Sequence, residues 1–278
     1  MCRILLRLQL RRLREAKGLT AGAVAKQYGW SDARMTRLET GSGAVEVGTV
    51  RVLCELYETS LELRDELEGY ALTTMTKRDW WDTKPFKGTV PRWFQAYLGL
   101  EAAAQRLRIY QSEFAPGIVQ TPHYAMAILG LSGAGDATVE RHAKVRLKRQ
   151  SILWRAEAPP EVSIILNEAV IRRPVGGPAV MREQLERICT LTELPNVAVQ
   201  VLPFSVGAHP AMHGPFTVLG FPDETVGDLA YLENLVDSGV LSEPQMVAPF
   251  IDTFDTLQDL ALDQKASLAA IRDAAKDL

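Results

Sequence analysis

The stretch Leu10-Arg11-Arg12-Leu13-Arg14-Glu15-Ala16-Lys17-Gly18-Leu19-Thr20, followed by Gly29-Trp30-Ser31 and Arg37-Leu38-Glu39-Thr40-Gly41, decides how the first part of the chain folds. Leu6, Leu10 and Leu13 recur at i, i+4 and i+7, one face of a helix, and Gly18 breaks that period before Leu19-Thr20 opens a second helix. The break at Gly29 puts Ser31 where its hydroxyl can cap a third helix of about nine residues, running through Glu39 to a stop at Gly41. Val50, Leu53, Leu56 and Tyr57 imply a fourth helix, and Leu61 to Thr76 a fifth. Each carries an apolar stripe that needs a partner, so residues 1–76 are expected to form one compact α domain.

Outward from this head, Lys77 to Arg92 has no period and carries Pro85, Gly88 and Pro91, which marks a connecting segment over residues 77–92. Residues 93–278 then alternate two kinds of pattern. Trp93 to Gln105, Thr121 to Leu129, Thr138 to Ala156, Pro178 to Leu194, Gln245 to Leu262 and Gln264 to Ala275 read as helices. Val162 to Leu166, Val197 to Leu202, Phe216 to Leu219 and Leu229 to Leu232 read as strands, with Leu107 to Tyr110 a weaker fifth. Short connections between the last strands favour hairpins, so the expectation is an α+β domain with a mainly antiparallel sheet.

Composition narrows the function. The chain has 278 residues, 47% of them apolar, and a formal net charge of −3, which argues against a protein coated in basic surface. The charge is unevenly placed: residues 1–45 hold nine basic side chains against three acidic ones, so a basic head precedes an acidic body. Cys2, Cys54 and Cys189 lie far apart without a CxxC pair, which supports neither a disulfide framework nor a structural zinc site. The longest stretch free of Asp, Glu, Lys and Arg, Leu194 to Pro222, contains five prolines and is not a membrane span. No apolar run near the N-terminus is long enough for a signal peptide, and the expected location is the cytoplasm.

A helix, a turn and a second helix, with the third helix short, basic and solvent-facing on one side, is the arrangement that places a helix in the DNA major groove. Met35 and Leu38 must face the core, which turns Ala33 and Arg37 outward with Arg34 and Thr36 on the flanks. Arg37 could donate to both O6 and N7 of guanine, while Ser31, Arg34 and Thr36 could hold phosphates; with Asp32 these six positions form the expected DNA-binding set. The alternative is a small helical domain with a solvated charged face.

The strings quoted above, with Val24-Ala25, resemble the Xre-type, phage-repressor-like helix-turn-helix. The likeness continues through Tyr97-Leu98-Gly99-Leu100-Glu101, Pro116-Gly117-Ile118-Val119-Gln120-Thr121, Asn167 to Gly177, Pro195-Asn196-Val197, Val201-Leu202-Pro203-Phe204, Gly207-Ala208-His209-Pro210 and Gly214-Pro215-Phe216, and in this the chain is similar to WhiJ-like Xre regulators. That resemblance implies a transcription regulator, a repressor or antitoxin-like protein, with a C-terminal domain of uncharacterised activity and a small partner protein encoded by a neighbouring gene. Ala21 and Gly22 stand where such regulators usually have Gln and Glu, and Ser42 to Glu46 lack the usual basic residue, which implies fewer phosphate contacts.

In the second domain, Glu168, Arg172, Arg173, His209 and Phe216 sit beside strands or Pro/Gly turns and are expected to line a ligand or partner pocket, with Phe204 and Tyr231 as further apolar walls. A simple Glu168–Arg172 ion pair closing the strand end is the competing reading. His209 and His213 lie in a loop without a neighbouring carboxylate, so no metal is expected. No nucleophile with a base, no dinucleotide fingerprint and no P-loop is present, hence neither catalysis nor a cofactor is expected. The reading is a homodimer on double-stranded DNA bearing a short inverted repeat, with no membrane partner. Docking of the small partner as the main role, or a small-molecule enzyme using Glu168 and His209, are the alternatives.

Overall fold

The computed structural model describes residues 2–40, 45–76, 79–221, 227–233 and 238–278. The expected stop at Gly41, the Ser42-Gly43-Ala44 departure and the Lys77-Arg78 start of the connection lie outside the described residues. The chain divides into two compact units, Met1–Leu100 and Glu101–Leu278. Among the described residues no helix is long and apolar enough to cross a membrane.

The first unit contains α1 (Cys2–Ala16), α2 (Ala21–Gln27), α3 (Asp32–Thr40), α4 (Val47–Leu56) and α5 (Leu61–Thr76). The start of α1 precedes Leu6 by four residues, so this helix is longer than its apolar period suggests. Gly18, at φ +67°, makes the turn before α2, and Thr20 caps that helix by accepting the Ala23 N–H at 3.1 Å. The expected apolar stripes meet in one core containing Leu6, Leu10, Val24, Met35, Val50, Leu53, Tyr57 and Leu67. A single 3₁₀ turn at Trp80–Asp82 follows, where Trp80 meets Trp81 and Phe86 edge-on. Helix α6 (Arg92–Ala103) spans the division between the units.

The second unit is built on a six-stranded sheet of β1 (Arg106–Gln111), β2 (Glu161–Asn167), β3 (Val197–Leu202), β4 (Phe216–Gly220), β5 (Leu229–Glu233) and β6 (Ser238–Leu241), in the order β3-β2-β1-β4-β5-β6. The β4–β5 and β5–β6 pairs are antiparallel, in keeping with their short connections, and β1–β4 is antiparallel although residues 112–215 separate the two strands. The β1–β2 and β2–β3 pairs are parallel, with Tyr110 opposite Ile165 and Leu166 opposite Val201. Parallel strands need long crossovers. The first contains α7 (Pro122–Gly130) and α8 (Asp136–Arg149), the second α9 (Glu168–Arg172) and α10 (Pro178–Leu191). The weak strand signal at Leu107 to Tyr110 corresponds to β1, which lies inside the sheet between β2 and β4.

Two helices complete this unit, α11 (Pro244–Leu260) and α12 (Gln264–Lys276). Phe254 and Leu257 of α11 join Tyr110, Ile165, Leu202, Phe216 and Val218 in a core on one face of the sheet. The outer strand β3 is sealed between them: Ser267 Oγ accepts the Val201 N–H at 2.9 Å, and the Val201 carbonyl accepts the Leu262 N–H at 2.9 Å. Sealing satisfies polar groups that an outermost strand otherwise leaves open to pairing.

Candidate functional site

On α3 the core takes Met35, which is fully buried, and Leu38, which packs against the same cluster. The 100° step per residue then leaves Ser31, Asp32, Ala33, Arg34, Thr36 and Arg37 exposed. Ser31 caps the helix through its Oγ, which accepts the Arg34 N–H at 3.2 Å. Trp30 stacks on Tyr28 with ring centroids 5.1 Å apart, and the Arg34 guanidinium lies 4.4 Å from the Trp30 ring centroid. Arg34 is thus held by an aromatic face at the helix N-terminus.

The other side of α3 is pinned by charge. Arg14 on α1 donates through Nε and Nη2 to the two oxygens of Glu39 at 2.5 and 2.8 Å, and through Nη1 to the Leu19 carbonyl at 2.7 Å. Both side chains are largely buried, 9% and 7% exposed, and the hydrogen bond to Glu39 raises the Arg14 pKa. This fork ties α1, the turn before α2 and α3 into one frame, which fixes how the exposed face is presented. Other cations of the head are engaged as well. Arg11 pairs with Glu15 at 2.8 Å, and Lys17 pairs with Glu58.

In the second unit the structure disperses part of the expected cluster. Glu168 opens α9, pairs with Arg172 at 3.3 Å and accepts the Phe204 N–H at 2.9 Å. Arg172 also reaches Asp277 at 3.1 Å, whereas Arg173 bonds Glu113 at 2.6 Å. His209 meets Tyr110 edge-on at 5.9 Å, and Tyr110 lies 5.9 Å from Phe216, so this histidine and this phenylalanine share one aromatic cluster. Burial lowers the His209 pKa, and its Nδ1 is buried without a partner among the described residues. Tyr231 sits opposite Thr217, one residue out of step with Phe216, so it projects from the other face of the sheet. Phe204 is exposed. An open groove of about 360 Å³ lies elsewhere, where Thr121, Gln150 and Leu147 face Glu186, Arg187 and Thr190 of α10.

The densest polar construction surrounds the loop from β1 to α7. Ala115 donates its N–H to the Tyr124 hydroxyl at 3.1 Å and accepts from Gln120 Nε2 at 2.7 Å. Gln150 Nε2 donates to the Gly117 and Gln120 carbonyls at 3.2 and 2.7 Å. Gln184 donates to the Val119 carbonyl at 3.0 Å and accepts the Thr121 N–H at 2.7 Å. Beneath them Arg149 forms a bidentate pair with Glu101 at 2.9 and 2.6 Å, with both residues buried. Buried loop backbone needs such partners because water cannot serve it.

Residues 94–273 match a domain of unknown function, DUF5753. The chain belongs to the DUF5753 family. Residues 5–67 match a helix-turn-helix domain, so the first unit contains a helix-turn-helix domain. No curated protein and no solved structure matches the chain. Within the DUF5753 domain, the string Pro116-Gly117-Ile118-Val119-Gln120-Thr121 is the buried loop just described. Sequence reading singled it out as a motif but found no role for Glu101, Arg149, Gln150 or Gln184. The available signal was their type: four amide or charged side chains, each needing a partner once buried.

Proposed function

We propose that the protein is a sequence-specific, DNA-binding transcription regulator of the WhiJ-like Xre kind, acting in the cytoplasm without a catalytic step. In this reading α3 enters the major groove, where Arg37 reads a guanine edge and Ser31, Arg34 and Thr36 hold phosphates. The observation that carries it is the exposed polar face from Ser31 to Arg37 on a helix whose opposite side is held by Met35 and the Arg14–Glu39 pair. One such helix reads only a few base pairs, so two copies on a short inverted repeat are needed for operator-level specificity. The DUF5753 domain supplies that pairing and senses a small partner protein or ligand. A regulatory rather than catalytic role is supported by Glu168, which is engaged by Arg172 and the Phe204 N–H, and by His209, packed against Tyr110.

The decisive experiment is to recover the genomic DNA bound to the full-length protein in cells, with and without the product of the neighbouring gene. Enrichment of short inverted repeats is the expected result. DNA recovered without sequence preference would overturn the reading.

A further inference from the structure

Strand β1 pairs parallel with β2 on one side and antiparallel with β4 on the other, and the loop that leaves its carboxyl end meets a cation of α8 that has no counter-ion among the described residues. Arg146 of α8 donates through Nη1 to Gln120 Oε1 at 2.7 Å. Gln120 is neutral and buried, with its own nitrogen committed to Ala115. Among the described residues no carboxylate reaches Arg146 within ion-pair distance. Its neighbours differ: Arg149 is neutralised by Glu101, and Arg173 by Glu113. Lost hydration is the largest influence on Arg146, Arg149 opposes its charge and Glu233 favours it from farther away. The pKa falls to about 10, so the group remains a cation at neutral pH. At the same strand end, Gln111 keeps a buried Oε1 without a donor among the described residues.

A partly desolvated charge lacking a counter-ion costs stability, and such a cost is tolerated where a ligand supplies the missing group. Guanidinium presents a planar fork of donors that matches carboxylate and phosphate. Open sheets with crossover helices admit ligands outside the carboxyl ends of their parallel strands, and this loop begins at the carboxyl end of β1. We infer that Arg146, positioned by Gln120, binds the oxyanion head, carboxylate or phosphate, of a small ligand. This deepens the ligand-sensing part of the proposed function, and only its regulatory meaning rests on that reading; the binding itself requires no DNA.

The test titrates the full-length protein with inorganic phosphate and, separately, with acetate, in chloride buffer at fixed ionic strength, following thermal unfolding and heat of binding. Wild type is expected to show a saturable response to at least one anion, and which one responds assigns phosphate or carboxylate. Arg146→Gln weakens that response at least tenfold, and without added anion its melting temperature is no lower than that of wild type. Gln120→Glu, which supplies the carboxylate internally, abolishes the response. Absence of a saturable response in wild type overturns the inference, as does an undiminished response in either variant. A lower melting temperature of anion-free Arg146→Gln also overturns it, because Arg146 would then be a strut for Gln120. None of these outcomes alters the inverted-repeat experiment, so the two readings fail separately.

Discussion

Arg37 and Arg34 share the exposed face of α3, yet only Arg34 is tethered, by its place over Trp30. Their variants are therefore expected to behave differently. Arg37→Ala removes about 1 to 3 kcal/mol of discrimination for the operator and leaves binding to random DNA nearly unchanged. Arg34→Ala lowers affinity for both and reduces the salt slope by roughly one unit, as loss of a phosphate contact does. Fluorescence-anisotropy titrations on both DNAs at several salt concentrations separate the two; equal losses for both variants would remove Arg37 from base reading. Away from DNA, Glu39→Gln leaves the buried Arg14 with only its longer, 3.3 Å pair to Glu15 and is expected to cost less than a buried charge left alone, which costs about 3 to 5 kcal/mol. Accelerated hydrogen exchange of α3 amides would register it. His209 carries a pH effect of definite sign. Burial lowers its folded-state pKa below the ordinary 6.5, so the unfolded chain takes up a proton first on acidification. Stability of the second unit is then full above about 6.5 and falls as pH drops through the folded value. His209→Gln should flatten that part of a melting-temperature profile. The Ser31 cap was legible because capping chemistry is local, whereas the Arg14–Glu39 pair spans 25 positions and leaves no trace in any period.

Among elements, the helices of the first unit were legible almost to their ends because glycine turns and apolar stripes act within a few residues. Five of the six strands of the sheet were legible, but the parallel pairing of three of them was not. Residues 112–160 separate β1 from β2, and nothing in an apolar pattern states that two strands so far apart run parallel. Arg106 and Arg108 interrupt the apolar run of β1, which made an inner strand look marginal; Arg108 instead reaches Asp255 at 3.2 Å and lies 5.9 Å from the Phe254 ring. Ser238-Gly239-Val240-Leu241 has too little β pattern to announce β6, which forms by pairing with β5. The buried loop between β1 and α7 yields an element-scale prediction. A Cβ at Gly117 would lie 3.1 Å from Arg149 Nη1, and this guanidinium cannot yield without disturbing Glu101. Gly117→Ala is expected to destabilise the second unit by about 1 to 3 kcal/mol, the usual cost of overpacking. Chemical denaturation of the full chain, followed through the second unit, checks the value; an unchanged midpoint would mean that the loop is less tightly held than its hydrogen bonds imply.

At the scale of the whole molecule, the division into two units makes a fragment experiment natural. Residues 1–76 are expected to fold alone and to bind the operator far more weakly than the intact chain, because linking two half-site readers multiplies their affinities through effective concentration. Gel-shift titrations at one salt concentration decide it: equal affinities would mean that the DUF5753 domain does not pair the two copies. The composition of the head is basic, and the fold engages part of that charge in ion pairs, Arg14–Glu39 within the domain and Arg11–Glu15 and Lys17–Glu58 at its surface. Random DNA holds a protein chiefly through unpaired cations facing its phosphates. With those cations engaged and the acidic remainder of the chain attached, residence on random sequence is expected to be brief. The proposed regulator would then locate its target through repeated collisions from solution rather than by long slides along the duplex.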